Sequence, residues 1–390
     1  MPKESMRLEK IPPYLFEEID RKKREAINKG VDIINLGIGD PDQPTPAYIV
    51  QSMQKAVENS QNHDYPSSNG EIDFRKAVVD WYHSRFSVSL DADKEVTCLI
   101  GSKEGLSHLS LAYIDKDDIA IVPSPSYPVY KMWTLMAGGD PYFVPLTREN
   151  DFLPDLNKIP EKVINKAKII YLNYPNNPTG AIAPSSFLEK TVNFAKENDL
   201  LIVYDNAYCD MTYDHYVAPS ILEIDGAKEV SIEFASLSKS YNMTGWRIAM
   251  AAGNEKAIKA LRVIKSNVDS GQFKAIQQAA VSALNSDGSD IKRHNEIYTR
   301  RRDILFAGLK SLNWPLKDPP KATFYFWIPV PGGYDSASFA SKLLESCGLV
   351  TVPGNGYGDA GEGYIRMAIT VSEDRIQEAI DRMKNAGIRY

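Results

Sequence analysis

Between residues 96 and 253 the chain carries short, nearly continuous apolar runs, and nothing else in the sequence restricts the fold as strongly. The runs are Val96–Ile100, Ile119–Pro123, Tyr142–Leu146, Lys168–Asn173, Leu200–Tyr204, Ser231–Ala235 and Ile248–Gly253. A strand wetted on one face alternates polar and apolar residues, whereas a run without alternation is buried on both faces. Helical patterns at Glu104–Ile114, Ser185–Asn198 and Glu255–Val263 fall between the runs. Apolar strands alternating with helices predict a large α/β domain, built on a mostly parallel seven-stranded sheet covered by helices.

The flanks read differently. Ile11-Pro12-Pro13-Tyr14 leads into a charged helix from Leu15 to Lys29, closed by Gly30. Its run Arg21-Lys22-Lys23-Arg24 reads as a solvated helix face rather than an anion site. Beyond Gly271, helical patterns at Phe273–Leu284 and Asp290–Leu312 precede strand patterns at Thr323–Val330, Leu349–Val352 and Tyr364–Ile369, then a last helix at Ser372–Asn385. Strands mixed with helices predict a smaller α+β domain. The expected division is an N-terminal arm with a small-domain segment at 1–40, a large domain at 41–275 and a small C-terminal domain at 276–390.

Composition removes several classes of function. Hydrophobic residues make up 43% and charged residues 25%, so disorder and low-complexity folds are excluded. A net charge of −6 offers no basic field for nucleic acid or anionic lipid. No apolar stretch approaches the ~18 residues that a membrane helix needs. Residues 1–10 lack the apolar segment of a secretory signal, and Cys98, Cys209 and Cys347 are an odd, widely spaced set. The expectation is a cytoplasmic protein with reduced thiols.

Several familiar mechanisms find no equipment. Gly356-Tyr357-Gly358-Asp359-Ala360-Gly361 has the spacing of a dinucleotide fingerprint, but it precedes a strand pattern and opens no helix, so it reads as a loop. No G-x-S-x-G elbow, Walker loop or H-E-x-x-H pair is present, which leaves no metal site and no catalytic triad in view.

Four pieces fall instead where predicted parallel strands end, the place where open α/β sheets bind ligands. Gly101-Ser102-Lys103-Glu104-Gly105 follows the first strand and opens a helix, a natural phosphate cradle. Asn173-Tyr174-Pro175-Asn176-Asn177-Pro178-Thr179-Gly180 is a loop stiffened by two prolines, which fixes the Asn177 side chain. Asp205 ends a buried strand and needs a partner there, such as a protonated ring nitrogen, with Tyr208 close behind. Ser236-Leu237-Ser238-Lys239, with Arg247 further on, sets a lysine among hydroxyls and a second cation, which suits an amine of lowered pKa. Each piece alone also fits a plain cap, turn, ion pair or surface lysine. Their order and spacing together do not.

The set resembles the class I/II aminotransferases of fold type I, which use pyridoxal 5′-phosphate (PLP). Ser236-Leu237-Ser238-Lys239-Ser240-Tyr241-Asn242-Met243-Thr244-Gly245-Trp246-Arg247 is similar to the family's lysine signature. Asn177-Pro178-Thr179-Gly180 and Asp205-Asn206-Ala207-Tyr208 are similar to its other cofactor motifs, and the likeness runs from about Leu36 to Arg366. The resemblance implies that Lys239 holds the cofactor as a Schiff base and then moves the proton between Cα and C4′. It implies that Asp205 pairs with the ring nitrogen, that Asn177 and Tyr208 bond the ring oxygen, and that Tyr127 stacks on the ring. Phosphate would lie on Ser102 and Lys103, with Ser236, Ser238 and Arg247 as side-chain donors. Tyr65 would reach the phosphate of the neighbouring subunit, so a homodimer is expected. Arg366 would grip the substrate α-carboxylate, with Gly39, Lys103, Tyr127 and Asn177 around the substrate. One departure is Asp205-Asn206, where many members have Asp-Glu.

Leu8-Glu9-Lys10-Ile11-Pro12-Pro13-Tyr14-Leu15-Phe16 resembles the branch of the family that works on LL-diaminopimelate with 2-oxoglutarate in lysine biosynthesis, and implies that Tyr14 touches substrate. A segment that only packs across a dimer is the other reading. Members of that branch can carry Gly-x-Glu after the tyrosine, where this chain has Tyr65-Pro66-Ser67-Ser68-Asn69-Gly70-Glu71, so that contact with a distal ammonium is absent or supplied otherwise. An aspartate, alanine or aromatic aminotransferase would keep the same cofactor residues. A PLP-sensing regulator would add a helix-turn-helix and a basic surface, which the sequence does not offer.

Overall fold

The computed structural model describes residues 1–9, 11 and 15–390. The arm contributes a short helix, Met6–Glu9, and a longer one, Leu15–Asn28, with Gly30 beyond it at φ +79°. A two-residue strand, β1 (Ile34–Asn35), follows.

The large sheet has seven strands: β2 (Val96–Leu99), β3 (Ile119–Ser124), β4 (Asp140–Pro145), β5 (Ala167–Leu172), β6 (Leu201–Asp205), β7 (Ser231–Ser236) and β8 (Ala249–Gly253). Their order across the sheet is β2-β8-β7-β6-β5-β3-β4. The pairs from β7 through β4 are parallel, and β8 runs antiparallel to both of its neighbours. The absence of alternation in these runs has a direct cause. Adjacent residues enter different cores, with Val122, Ile169, Val203 and Phe234 on one face and Ile121, Ile170, Ile202 and Ala235 on the other. The first face packs on helices Ser102–Tyr113 and Glu255–Val268, the second on Ile72–Phe86 and Ser185–Glu197. Pro141 and Pro145 sit in β4 at the sheet edge, where a missing N–H costs no ladder bond.

The second lobe is built on an antiparallel sheet of β9 (Tyr325–Pro329), β12 (Tyr364–Ala368) and β11 (Val352–Pro353). β10 (Leu349–Val350) instead pairs in parallel with β1, so the expected single strand at 349–352 is split at Thr351 between two partners. Helices Ser289–Ser311, Ser336–Cys347 and Glu373–Asn385 bury Leu305, Leu309, Phe339, Ile376 and Ile380 in this lobe's core, together with Ile34 and Leu36. Helix Lys274–Leu284 gives Ala279, Ala280, Ala283 and Leu284 to the core of the large lobe, and Ile291 in the next helix still packs against that core, whereas Tyr298 further along belongs to the second lobe. The glycine-rich stretch after β11 forms two tight turns, Gly354–Tyr357 and Asp359–Gly361. Among the described residues no helix is long and apolar enough to cross a membrane.

Candidate active site

A cavity of about 490 Å³ opens where β2, β5, β6 and β7 end. Gly39, Ser102, Lys103, Tyr127, Asn177 and Asp205 line it, and so do Tyr208, Ser236, Ser238, Lys239, Arg247 and Arg366. Tyr65 lies outside it, 90% exposed on the surface of the chain. Tyr14 lies outside the described residues.

The lysine follows from local structure. Ser236 ends β7 and caps the short helix Leu237–Ser240, its Oγ accepting from the Ser238 N–H at 3.1 Å. This turn carries Lys239 into the cavity, where Nζ donates to the Gly39 carbonyl at 2.8 Å and lies 4.0 Å from an Asp40 oxygen. Burial lowers the Lys239 pKa to about 8; the Asp40 charge opposes this, and Arg366 and Arg247 add to it.

Asp205 ends β6 at the opposite wall. Its Oδ2 accepts from the Tyr130 hydroxyl at 2.8 Å, while Oδ1, also buried, has no hydrogen-bond partner within the chain. Burial raises its carboxyl to about 6, against the pull of the Tyr130 and Ala207 bonds. Asn173 fixes the main chain, donating through Nδ2 to the Asp205 carbonyl at 2.7 Å and accepting from the Asn177 N–H at 2.8 Å. Tyr130, absent from the sequence expectations, stacks on Tyr171 with ring centroids 4.9 Å apart. Its position just past Tyr127 was the available signal.

The third wall holds Arg366, 2% exposed. It donates to Asn177 Oδ1 at 2.8 Å and to the Gly37 carbonyl at 2.7 Å, and its guanidinium lies 4.0 Å from the Tyr325 ring centre. Tyr325 also pairs hydroxyl to hydroxyl with Tyr208 at 3.0 Å, and a Cβ on Gly39 would collide with it, so glycine is required at 39. Tyr325 was hidden in the aromatic run Phe324-Tyr325-Phe326-Trp327, which reads as core.

At the mouth of β2, Gly101 stands at φ +76° under the Arg247 guanidinium, which a Cβ there would strike. Ser102 opens its helix with a buried Oγ that has no partner within the chain. Lys103 is exposed beside Arg247, and partial desolvation and that charge lower its pKa.

A class I and II aminotransferase model matches residues 31–383. The chain belongs to that family. It is 54% identical to "LL-diaminopimelate aminotransferase 2" of Trichormus variabilis and 52% identical to "LL-diaminopimelate aminotransferase" of Moorella thermoacetica. The first match covers 98% of both chains, the second 98% of this chain and 97% of the relative. Among solved structures, substrate-bound BacF from Bacillus subtilis aligns with a TM-score of 0.95 and 36% identity, over 99% of this chain and 98% of that one.

Members of this family work with PLP, and the cavity suits it. The unpartnered Asp205 Oδ1 can accept from a protonated ring nitrogen, and the Ser102 hydroxyl at a helix N-terminus, with Arg247 above it, can meet a phosphate. Among the described residues, the one grouping with metal-ligand character, Glu104, His108 and Asp269, surrounds the buried Lys265 ammonium, 2.9 Å from Asp269 and 3.4 Å from Glu104. That ammonium already supplies the positive charge.

Proposed function

We propose that this chain transfers the amino group between LL-2,6-diaminopimelate and 2-oxoglutarate with PLP as cofactor, a step of lysine biosynthesis. The observation that carries the reading is 54% identity, over 98% of both chains, to a protein named for that activity.

When bound, PLP supplies an electron sink for charge developing at the substrate Cα. The protein supplies position and protons. Asp205 Oδ1 accepts from the ring nitrogen while Tyr130 holds Oδ2, which keeps that nitrogen protonated. Ser102, Ser236, Ser238 and Arg247, with the backbone at Lys103, take the phosphate. Asn177 and Tyr208, which line the same cavity, would hold the ring oxygen, and Tyr127 would pack on the ring. Lys239, with its pKa near 8, gives up a proton readily, so its amine would serve as the base that takes the proton from the substrate Cα. Arg366 grips the α-carboxylate by exchanging its bonds to Asn177 and Gly37 for two bonds to the substrate.

Arg366 serves any α-amino acid, so selectivity belongs to groups that meet the far end of the substrate. A site built to bond polar groups rejects analogues lacking them by ~10⁴ or more. The test is kcat/KM for LL-diaminopimelate, aspartate, alanine and phenylalanine with 2-oxoglutarate. LL-diaminopimelate should lead; a faster reaction with aspartate or alanine would remove the substrate assignment and leave the aminotransferase. A Tyr14→Phe enzyme should lose the LL-diaminopimelate reaction selectively, whereas uniform loss would mark a packing role. The exposed Tyr65 fits a residue that completes a partner subunit's phosphate site, and sedimentation should find a dimer; an active monomer would exclude it.

A further inference from the structure

Behind Asp205 lies a second buried carboxylate that the proposed reaction does not use. Glu233 sits on β7 opposite Tyr204, and the next pair in the register is Asp205 with Phe234. It is fully buried, and four neutral donors surround it. Its Oε2 accepts from Ser220 Oγ at 2.6 Å and the Ile221 N–H at 2.9 Å, and its Oε1 accepts from Asn206 Nδ2 and the Tyr82 hydroxyl, both at 3.1 Å. Burial pushes its carboxyl up to about 7.

The chemistry of this knot is restrictive. In the arrangement seen all four groups donate to it, and a carboxylate accepts on both atoms; with Asn206 in place, the NH₂ of a glutamine would meet the Asn206 NH₂. Asn206 is restricted in turn. An acid there would set two carboxylates together in a dry interior, which is costly. Where many family members carry an acid beside the ring-facing aspartate, this chain has Asn206, whose amide donates to the acid one strand over.

The knot also has a place in the mechanism. Asn206 directly follows Asp205, its N–H donates to the Phe234 carbonyl at 2.8 Å, and its side chain reaches Glu233. Asn173 holds the Asp205 carbonyl from the other side. β6 is thereby tied, at its functional end, to the strand that continues into Ser236 and Lys239. We propose that Asn206 and Glu233 are positioning residues, a buried amide–carboxylate clamp that sets the depth and direction of the Asp205 carboxylate toward the cofactor ring. The proposal rests on Asp205 being the ring nitrogen's partner.

The test uses the full chain, with PLP titrated into cofactor-free protein by absorbance, visible circular dichroism of the bound cofactor, steady-state kinetics and thermal midpoints. Asn206→Asp should weaken PLP binding by about tenfold or more, as when a buried group loses its partner. Dichroism should fall and kcat with it, while KM for the amino donor stays. Asn206→Asp combined with Glu233→Gln, which restores one acid and one amide, should recover most of both losses. Should Asn206→Asp fail to fold, Asn206→Ala deletes the bond without adding charge and is read in the same way. Variants that lower only the thermal midpoint, with PLP affinity and dichroism intact, would overturn the clamp, and so would a double variant no better than the single one. Asp205→Asn runs alongside. If it too leaves cofactor binding and turnover untouched, the reading of Asp205 fails; if it alone is impaired, only the clamp fails.

Discussion

Asp205 and Arg366 are both buried against the same cavity, yet Asp205 keeps one oxygen without a partner while Arg366 has bonds to Asn177 and Gly37. An unsatisfied buried acceptor holds back ~1–3 kcal/mol that a ligand can recover. An arginine already bonded offers an incoming carboxylate only the difference between old partners and new. The first arrangement suits a group that stays through many turnovers. The second suits one that must arrive and leave each time. Lys239 stands between the two, with its ammonium on the Gly39 carbonyl and its charge opposed by Arg366 and Arg247.

The sharpest break comes from removing the amine that both ends serve. Lys239→Ala should lose covalent cofactor attachment, read by mass spectrometry after borohydride reduction, and nearly all turnover; normal rates would end the proposed mechanism. Asp205→Ala should keep PLP attached through Lys239, with weaker affinity, and raise the barrier by several kcal/mol, at ~1.4 kcal/mol per tenfold, because the ring nitrogen loses its acceptor. Unchanged turnover would make Asp205 a structural acid. Arg366→Lys replaces a planar fork with a point charge and should cost ~10- to 100-fold in kcat/KM, mostly in KM. If kcat fell instead, the exchange of partners argued for Arg366 would be wrong.

The smallest effect is a pH dependence in the cofactor-free protein. Burial raises Asp205 from 3.8 to about 6, so its contribution to stability is full below 3.8 and is lost as pH rises through 6. Lys239 falls from 10.5 to about 8, so its contribution is full above 10.5 and is lost as pH falls through 8. Both groups therefore strain the protein near neutrality. Relative to wild type, Asp205→Asn should gain more stability at pH ~7 than at ~4, and Lys239→Met more at ~7 than at ~10, by denaturant midpoints. Gains that ignore pH would mean the native pKa values are ordinary.

Most of the large sheet was legible because a strand buried on both faces writes itself as an unbroken apolar run. Direction is not written that way: Ala249-Met250-Ala251-Ala252-Gly253 serves equally well parallel or antiparallel, and β8 is antiparallel. The split at Thr351 was also out of reach, since β10 and β11 find their partners in β1 and β12. Helix Ile72–Phe86 was not among the expected elements although it was legible: Phe74, Ala77, Val78, Trp81 and Tyr82 recur at helical spacing and are the residues it buries. In the cavity, residues set in strand-end motifs could be anticipated. Tyr325 and Glu233 could not, because an aromatic or acidic residue inside an apolar run carries no mark of the polar atom it will meet across the fold.

The segment from Leu36 to Gly39 touches the rest of the site through main-chain oxygens: Leu36 to the Ala368 N–H, Gly37 to Arg366, Ile38 to Thr370 and Gly39 to Lys239. Carbonyl groups are the same whatever the side chain. An alanine scan would register Leu36 through the core it fills and Gly39 through its collision with Tyr325, and would report on none of the four carbonyl bonds. A library of single-codon deletions and insertions between Asn35 and Pro41 would register them at once, because those bonds depend on spacing, counted in peptide units.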